Sequence, residues 1–281
     1  MAIIKPFKSV RYHSPKVDTI TKFLAPPYDV ISEQDRDELY DRSEHNIVRI
    51  DFPKDPAKGD KYEQSAALLD KWEQEELLVI ESRPAIYVLE DYFIDWHGYR
   101  RIRRGFIAVL KVEDFNKGTV FPHEKTFAKH KQDRMNMLKA TQAQFNPVFA
   151  FYSDGENAIR PVLKNVVDHN LPDWNFRFDD GATRTLWTVT DHRFIDQIIE
   201  GMKSRKVFIA DGHHRYETAL EYAKIKDKEL GIEGSDAPHQ YALMYFVCTG
   251  DEGLSILATH RLLKDIPGYD RSKVLEKLKN S

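Results

Sequence analysis

The sequence predicts an α/β to α+β fold: mixed sheets with surrounding helices. Three observations carry this. Apolar alternation of period two and of period 3.6 follow one another along the chain with no break in composition. Residues 85–112 read as a long hairpin. A buried strand near 206–210 runs through Asp211-Gly212 directly into a long amphipathic helix.

In order, Ile3 to Val10 reads as a strand before a Pro-containing loop. Ala25-Pro26-Pro27-Tyr28-Asp29-Val30-Ile31 is extended, because each proline keeps its predecessor out of the helical region. Ser32 caps a helix to about Arg42, with Asp35 completing a weak capping box. Ile47 to Phe52 reads as a short strand. Tyr62 to Leu77 reads as a helix with Ala66, Leu69, Trp72 and Leu77 near one face. The hairpin pairs Ala85–Ile94 with Tyr99–Val112 around Trp96-His97-Gly98. Helices follow at Lys125–Ala140, Asn157–His169 and His192–Met202, and strands at Pro147–Tyr152, Thr183–Val189 and Lys206–Ala210. His213 to about Leu230 is a helix with Tyr216, Ala219, Leu220 and Ala223 on one face, and strands follow at Tyr241–Cys248 and Ser255–Leu262.

Composition excludes several classes. The 281 residues hold 42 Lys and Arg against 45 Asp and Glu, a net charge of -3, which argues against a nucleic-acid coat protein. A single cysteine, Cys248, excludes an internal disulfide framework and a multi-cysteine zinc site, and its apolar strand makes it core rather than nucleophile. The longest apolar stretch, Tyr241 to Cys248, is too short to cross a bilayer, and residues 1–14 lack a signal-peptide core. The expectation is a soluble cytoplasmic chain of about two regions. Residues 1–115 form an N-terminal α/β region with the hairpin, and residues 116–281 a candidate catalytic region.

The strongest chemical signal is Val207 to Leu220. The first turn of its helix carries His213, His214 and Arg215, the wrong sign for the positive end of a helix dipole. A bound anion resolves the conflict: backbone N–H groups, the dipole and the cationic side chains together make a phosphate site. Gly212 allows close backbone approach, and Asp211 stands at the carboxyl end of a strand, where α/β folds place chemistry. The bland alternative makes Asp211 an N-cap and the histidines surface. A metal reading pairs His213 with Glu217 at i, i+4 and adds Asp211 and His123, but His-Glu-x-x-His is absent.

A second constellation is Pro122-His123-Glu124-Lys125-Thr126, with Lys129, Lys131, Asp133 and Arg134 after it. A carboxylate beside a histidine serves as general base if a substrate hydroxyl reaches it, and the cations hold a second anionic group; otherwise this is a solvated helix. Asp29 in the Pro-Pro-Tyr-Asp turn and Thr259-His260-Arg261 after a strand are weaker candidates, each matched by ordinary turn chemistry. Arg100, Arg101, Arg103 and Arg104 alternate between faces and read as edge protection. No Walker A, GxGxxG or protein-kinase signature is present.

Four segments together resemble the bacterial family called domain of unknown function 1015 (DUF1015): 25–32, 122–126, 210–219 and Thr259-His260-Arg261-Leu262. The resemblance spans nearly the whole chain. Because members continue beyond the Thr-His-Arg motif, the chain, which stops inside a helical pattern opening near Arg271, is expected to be a fragment. More distantly, Pro-His-Glu followed by Asp-Gly-His-His-Arg is similar to ParB/sulfiredoxin-like free L-serine kinases, and the turn to the CTP-binding motif of ParB proteins. Here the motifs stand farther apart, and the N-terminal portion has no counterpart there.

That likeness implies a ParB/sulfiredoxin-like core at 116–281 and phosphoryl transfer on serine or phosphoserine, with ATP or ADP and Mg2+. Family members lie beside serine-biosynthesis genes, which fits either direction. By motif, Glu124 is the base beside His123, Asp211 is catalytic and a metal ligand, and His214 belongs to the catalytic set. Gly212, His213 and Arg215 hold the nucleotide phosphates, and Lys125, His260 and Arg261, read from the residues rather than from that motif, are expected to add contacts to it. The rivals are a nucleotide-binding switch without turnover and a metal-dependent hydrolase. A homo-oligomer is left open, and no membrane or nucleic-acid partner is expected.

Overall fold

The computed structural model describes residues 1–13, 20–124, 128–178, 181–232, 236–255 and 267–279. Its centre is a mixed nine-stranded sheet. The strands of that sheet are β1 (Ile4–Lys5), β4 (Ile86–Ile94), β5 (Arg100–Lys111), β6 (Val120–Phe121), β7 (Val148–Tyr152), β8 (Trp174–Arg177), β9 (Thr183–Val189), β10 (Val207–Asp211) and β11 (Tyr241–Cys248). The order is β6-β10-β7-β11-β5-β4-β9-β8, with β1 beside β5. A separate ribbon pairs β2 (Val10–Tyr12) with β3 (Leu78–Ile80). The sheet takes strands from both sides of residue 115.

Eight α-helices accompany the strands among the described residues: α1 (Glu33–Arg42), α2 (Val48–Asp51), α3 (Lys61–Gln74), α4 (Ala128–Thr141), α5 (Arg160–His169), α6 (His192–Lys203), α7 (His213–Leu230) and α8 (Arg271–Lys279). None is long and apolar enough to cross a membrane. The main core packs Val88, Phe106, Ala150, Met244 and Phe246 of the sheet against Leu163 of α5, Ile198 of α6 and Tyr216 of α7. Burying such side chains is worth roughly 1.5–3 kcal/mol each. The other sheet face presents Tyr87, Ile107, Val109, Leu186 and Leu243 to a cavity of about 680 Å3, whose remaining walls include Tyr12, Ile20, Leu69 and Leu78.

Most expected elements are present. Ser32 caps α1 in a full capping box: its hydroxyl accepts from Asp35 N–H at 3.1 Å, and the Asp35 carboxylate accepts from Ser32 N–H at 3.0 Å. The hairpin of β4 and β5 is antiparallel from Tyr87↔Ile107 to Ile94↔Arg100.

Four readings need correction. Residues 25–31 are not extended throughout: Tyr28–Val30 turn as a 3-10 helix, because a proline restrains the residue before it and not those after it. Residues 47–52 are helical at α2, because Asn46 Oδ1 accepts from Val48 N–H at 3.0 Å and starts a turn, overriding a β-branched run. The strand expected at 3–10 is split into β1 and β2, since Pro6 has no N–H to give a ladder. Three of the four arginines of β5 are engaged with carboxylates: Arg101 with Asp95, Arg103 with Asp91 and Arg104 with Glu90. The sequence reading also missed the short strands β3, β6 and β8. The strand expected at 255–262 lies outside the described residues apart from Ser255.

Candidate functional site

Strand direction assembles the site. β6 and β10 run parallel, with Phe121 beside Phe208. Their carboxyl ends therefore point the same way, and His123 and Glu124 emerge beside Asp211. β7 runs antiparallel to β10, with Phe149 opposite Asp211, so Pro147 enters at that same end.

β10 turns into α7 through Gly212, at φ +84°, which is the N-cap of the helix and makes no side-chain cap bond. The N-cap reading of Asp211 is therefore corrected. The amides of His213, His214 and Arg215 precede the first intrahelical bond, from Tyr216 N–H to Gly212 O at 3.1 Å. These amides and the dipole of an 18-residue helix favour an anion.

Asp211 instead accepts from Arg215 Nη2 at 2.7 Å. The same nitrogen reaches Asp29 Oδ2 at 3.4 Å, and Arg215 Nη1 donates to Pro147 O. The space over Gly212 that the sequence reading opened to a phosphate is thus occupied by a side chain: a Cβ there would lie 2.8 Å from Arg215 Cζ.

His213 is buried, and its neighbours define its proton. His123 N–H donates to His213 Nε2 at 3.2 Å. Neutral His213 then carries its hydrogen on Nδ1, which stands 3.2 Å from Glu124 Oε1. Nδ1 makes no aligned hydrogen bond among the described residues, so the approach is electrostatic. Burial, and then the nearby His123, hold the His213 pKa below its ordinary value, opposed by Glu124, Asp211 and Glu217. His123 Nδ1 lies 2.7 Å from the Ile209 carbonyl, so it donates and leaves Nε2 as the basic atom. Glu124 and Asp211 are each 60% exposed at the side chain, against 1% for His213, so two carboxylates face solvent beside a buried imidazole.

Other candidates fall elsewhere. Arg134 is not an open cation: it is buried, donates to Asp51 Oδ1 at 2.9 Å and to Asp133 Oδ2 at 2.6 Å, and lies 3.8 Å from the Tyr28 ring centroid. Lys131 pairs with Glu217, the residue that the rival metal reading set beside His213. Among the described residues no three His, Cys, Asp or Glu side chains could hold a metal ion. An exposed Asp211 still fits a Mg2+ that takes its remaining ligands from phosphate and water. His214 is half-buried in the first turn of α7. Lys125, His260 and Arg261 lie outside the described residues.

Sequence reasoning missed Asp51, Tyr28 and Thr218 near the site; only the Pro-Pro turn before Tyr28 signalled any of them.

The family model described as protein of unknown function DUF1015 matches residues 4–281. The chain belongs to the DUF1015 family. No curated protein matches it, and no solved structure does. For this DUF1015 chain the comparisons give no support to a ParB/sulfiredoxin-like core. What the structure supplies is the convergence of three of the segments that carried the family resemblance, at 25–32, 122–126 and 210–219, through the contacts of Asp29, Glu124, His213 and Arg215.

Proposed function

We propose that this protein is a phosphoryl-transfer enzyme acting on a small amino acid, serine or phosphoserine, with a nucleotide. One observation carries the reading: the Glu124 carboxylate stands 3.2 Å from buried His213 at the mouth of a long helix whose N-terminus has no side-chain cap. The helix end suits a phosphate. Glu124 suits orienting or deprotonating a hydroxyl, the role a base takes when catalysis is mostly positioning and charge neutralisation. His123 Nε2 is a second basic atom beside it. Asp211 would hold Mg2+, which would neutralise phosphate charge. The amino acid, the nucleotide and a ParB/sulfiredoxin-like ancestry rest on the motif resemblance.

The test is Glu124→Gln assayed for phosphate exchange between nucleotide and serine or phosphoserine. Turnover should fall by about 10²–10⁴, the usual worth of a general base, while nucleotide affinity stays within about twofold. Nucleotide binding without any turnover in the unmodified protein would favour the non-catalytic switch. Absence of nucleotide binding would remove both readings.

A further inference from the structure

Arg215 also walls a separate cavity of about 50 Å3 between the 25–31 loop, α2, α4 and α7, with Tyr28, Asp51, Arg134, Asn146 and Thr218. Three polar atoms of these walls have no hydrogen-bond partner among the described residues: Tyr28 Oη, Thr218 Oγ1 and Arg215 Nε. Tyr28 and Thr218 are 7% and 3% exposed, and the Arg215 side chain 10%. A buried donor without an acceptor is costly, and most buried polar groups in native proteins are paired. Both hydroxyls can donate and Arg215 Nε can only donate, so the cavity asks for an acceptor.

The unmet donors and the size narrow the class. Arg134 and Arg215 are already met by Asp51, Asp133, Asp211 and Asp29, so the case for an acceptor with several lone pairs, such as a carboxylate, rests on the three unmet donors and not on net charge. A water-sized group needs about 10–15 Å3 by this measure, so the space takes about three to five such groups. That suits a carboxylate and excludes a nucleoside. Outside the walls Asp29 lies on Arg215 Nη2, 3.4 Å away, where it suits an ammonium group.

We propose that this cavity binds the carboxylate of a small amino acid, with Tyr28 Oη, Thr218 Oγ1 and Arg215 Nε donating to it and Asp29 facing its ammonium. The choice of a serine-like acid rests on the function proposed above; the carboxylate subsite does not.

The experiment titrates the full chain with L-serine, O-phospho-L-serine, L-alanine and glycolate, and with serinol, which lacks the carboxylate. Thermal shift and calorimetry give the affinities. At least one acid should bind and serinol should not. Tyr28→Phe and Thr218→Val should each weaken that acid by about tenfold, the usual worth of one hydrogen bond to a charged group. Unliganded, both variants should melt at or above the wild-type temperature, because each removes an unpaired buried hydroxyl. If no acid binds, or if both variants bind as tightly as wild type, the subsite is overturned and the cavity holds water. Acid binding with the expected variant pattern but no phosphoryl transfer leaves the subsite standing and removes the function. Phosphoryl transfer with unaltered KM in both variants does the reverse.

Discussion

Asp29 Oδ2 lies 3.4 Å from Arg215 Nη2, across 186 residues of chain. Pro27, at φ -54° and ψ 141°, keeps the loop extended until Tyr28–Val30 turns and delivers Asp29. The guanidinium then serves Asp29, Asp211 and Pro147 O together, a geometry that a lysine ammonium cannot copy.

Arg215→Lys should therefore cost about 1–3 kcal/mol in urea unfolding, since the part-buried Pro147 carbonyl loses its donor, while water meets the exposed Asp211 carboxylate. Asp29→Asn should cost under about 1 kcal/mol, because the carboxylate is partly solvated and the contact long. Equal costs for the two would mean that Arg215 serves Asp29 alone.

Arg134 and Asp51 form a second linked pair, joined at 2.9 Å with both side chains buried. Burial raises the Asp51 pKa while Arg134 and Asn146 oppose it. Arg134→Met would strand a buried carboxylate and should cost about 3–5 kcal/mol. Adding Asp51→Asn should recover part of that loss, because the stranded charge is gone. A double variant no more stable than Arg134→Met alone would show that packing against Tyr28 dominates.

The folded pKa of His213 lies below its ordinary 6.5, from burial and His123, with Glu124, Asp211 and Glu217 opposing. The unfolded chain then binds a proton at higher pH than the native one does. The stabilising contribution is fully present above 6.5 and is lost as pH falls toward the folded value. Denaturation midpoints should hold between pH 8 and 7 and drop between 6.5 and 5.5. His213→Gln should flatten that part of the curve, and an unchanged slope would assign it to other groups.

Secondary structure was legible where one period dominated. The hairpin, α7 and β11 follow from their own residues, because burial on one face fixes the pattern. Residues 47–52 were not legible, since a four-residue helix is set by the Asn46 side chain rather than by periodicity. The site was half legible. The sign conflict at the start of α7 marked Arg215 and His213, but which carboxylate met which cation depended on parallel pairing of β6 with β10. No local pattern in a two-residue strand announces that pairing. Arg134 illustrates the limit: its neighbours in sequence suggest an open cationic helix, and its burial comes from Asp51 and Tyr28, far away in the chain.

Gly212 and Gly118 separate two effects that a glycine substitution usually mixes. Both have positive φ, +84° and +79°. A Cβ on Gly118 meets nothing within 4 Å, whereas one on Gly212 meets Arg215 Cζ at 2.8 Å and Nε at 2.9 Å. Gly118→Ala should show only the backbone cost, about 1–2 kcal/mol. Gly212→Ala should show that cost and also push the guanidinium off Asp211 and Asp29, adding up to about 1 kcal/mol, since both carboxylates reach solvent. The difference between the two variants in urea unfolding isolates the part that Arg215 plays. If Gly212→Ala costs no more than Gly118→Ala, the guanidinium moves aside freely and its place over Gly212 adds nothing to stability.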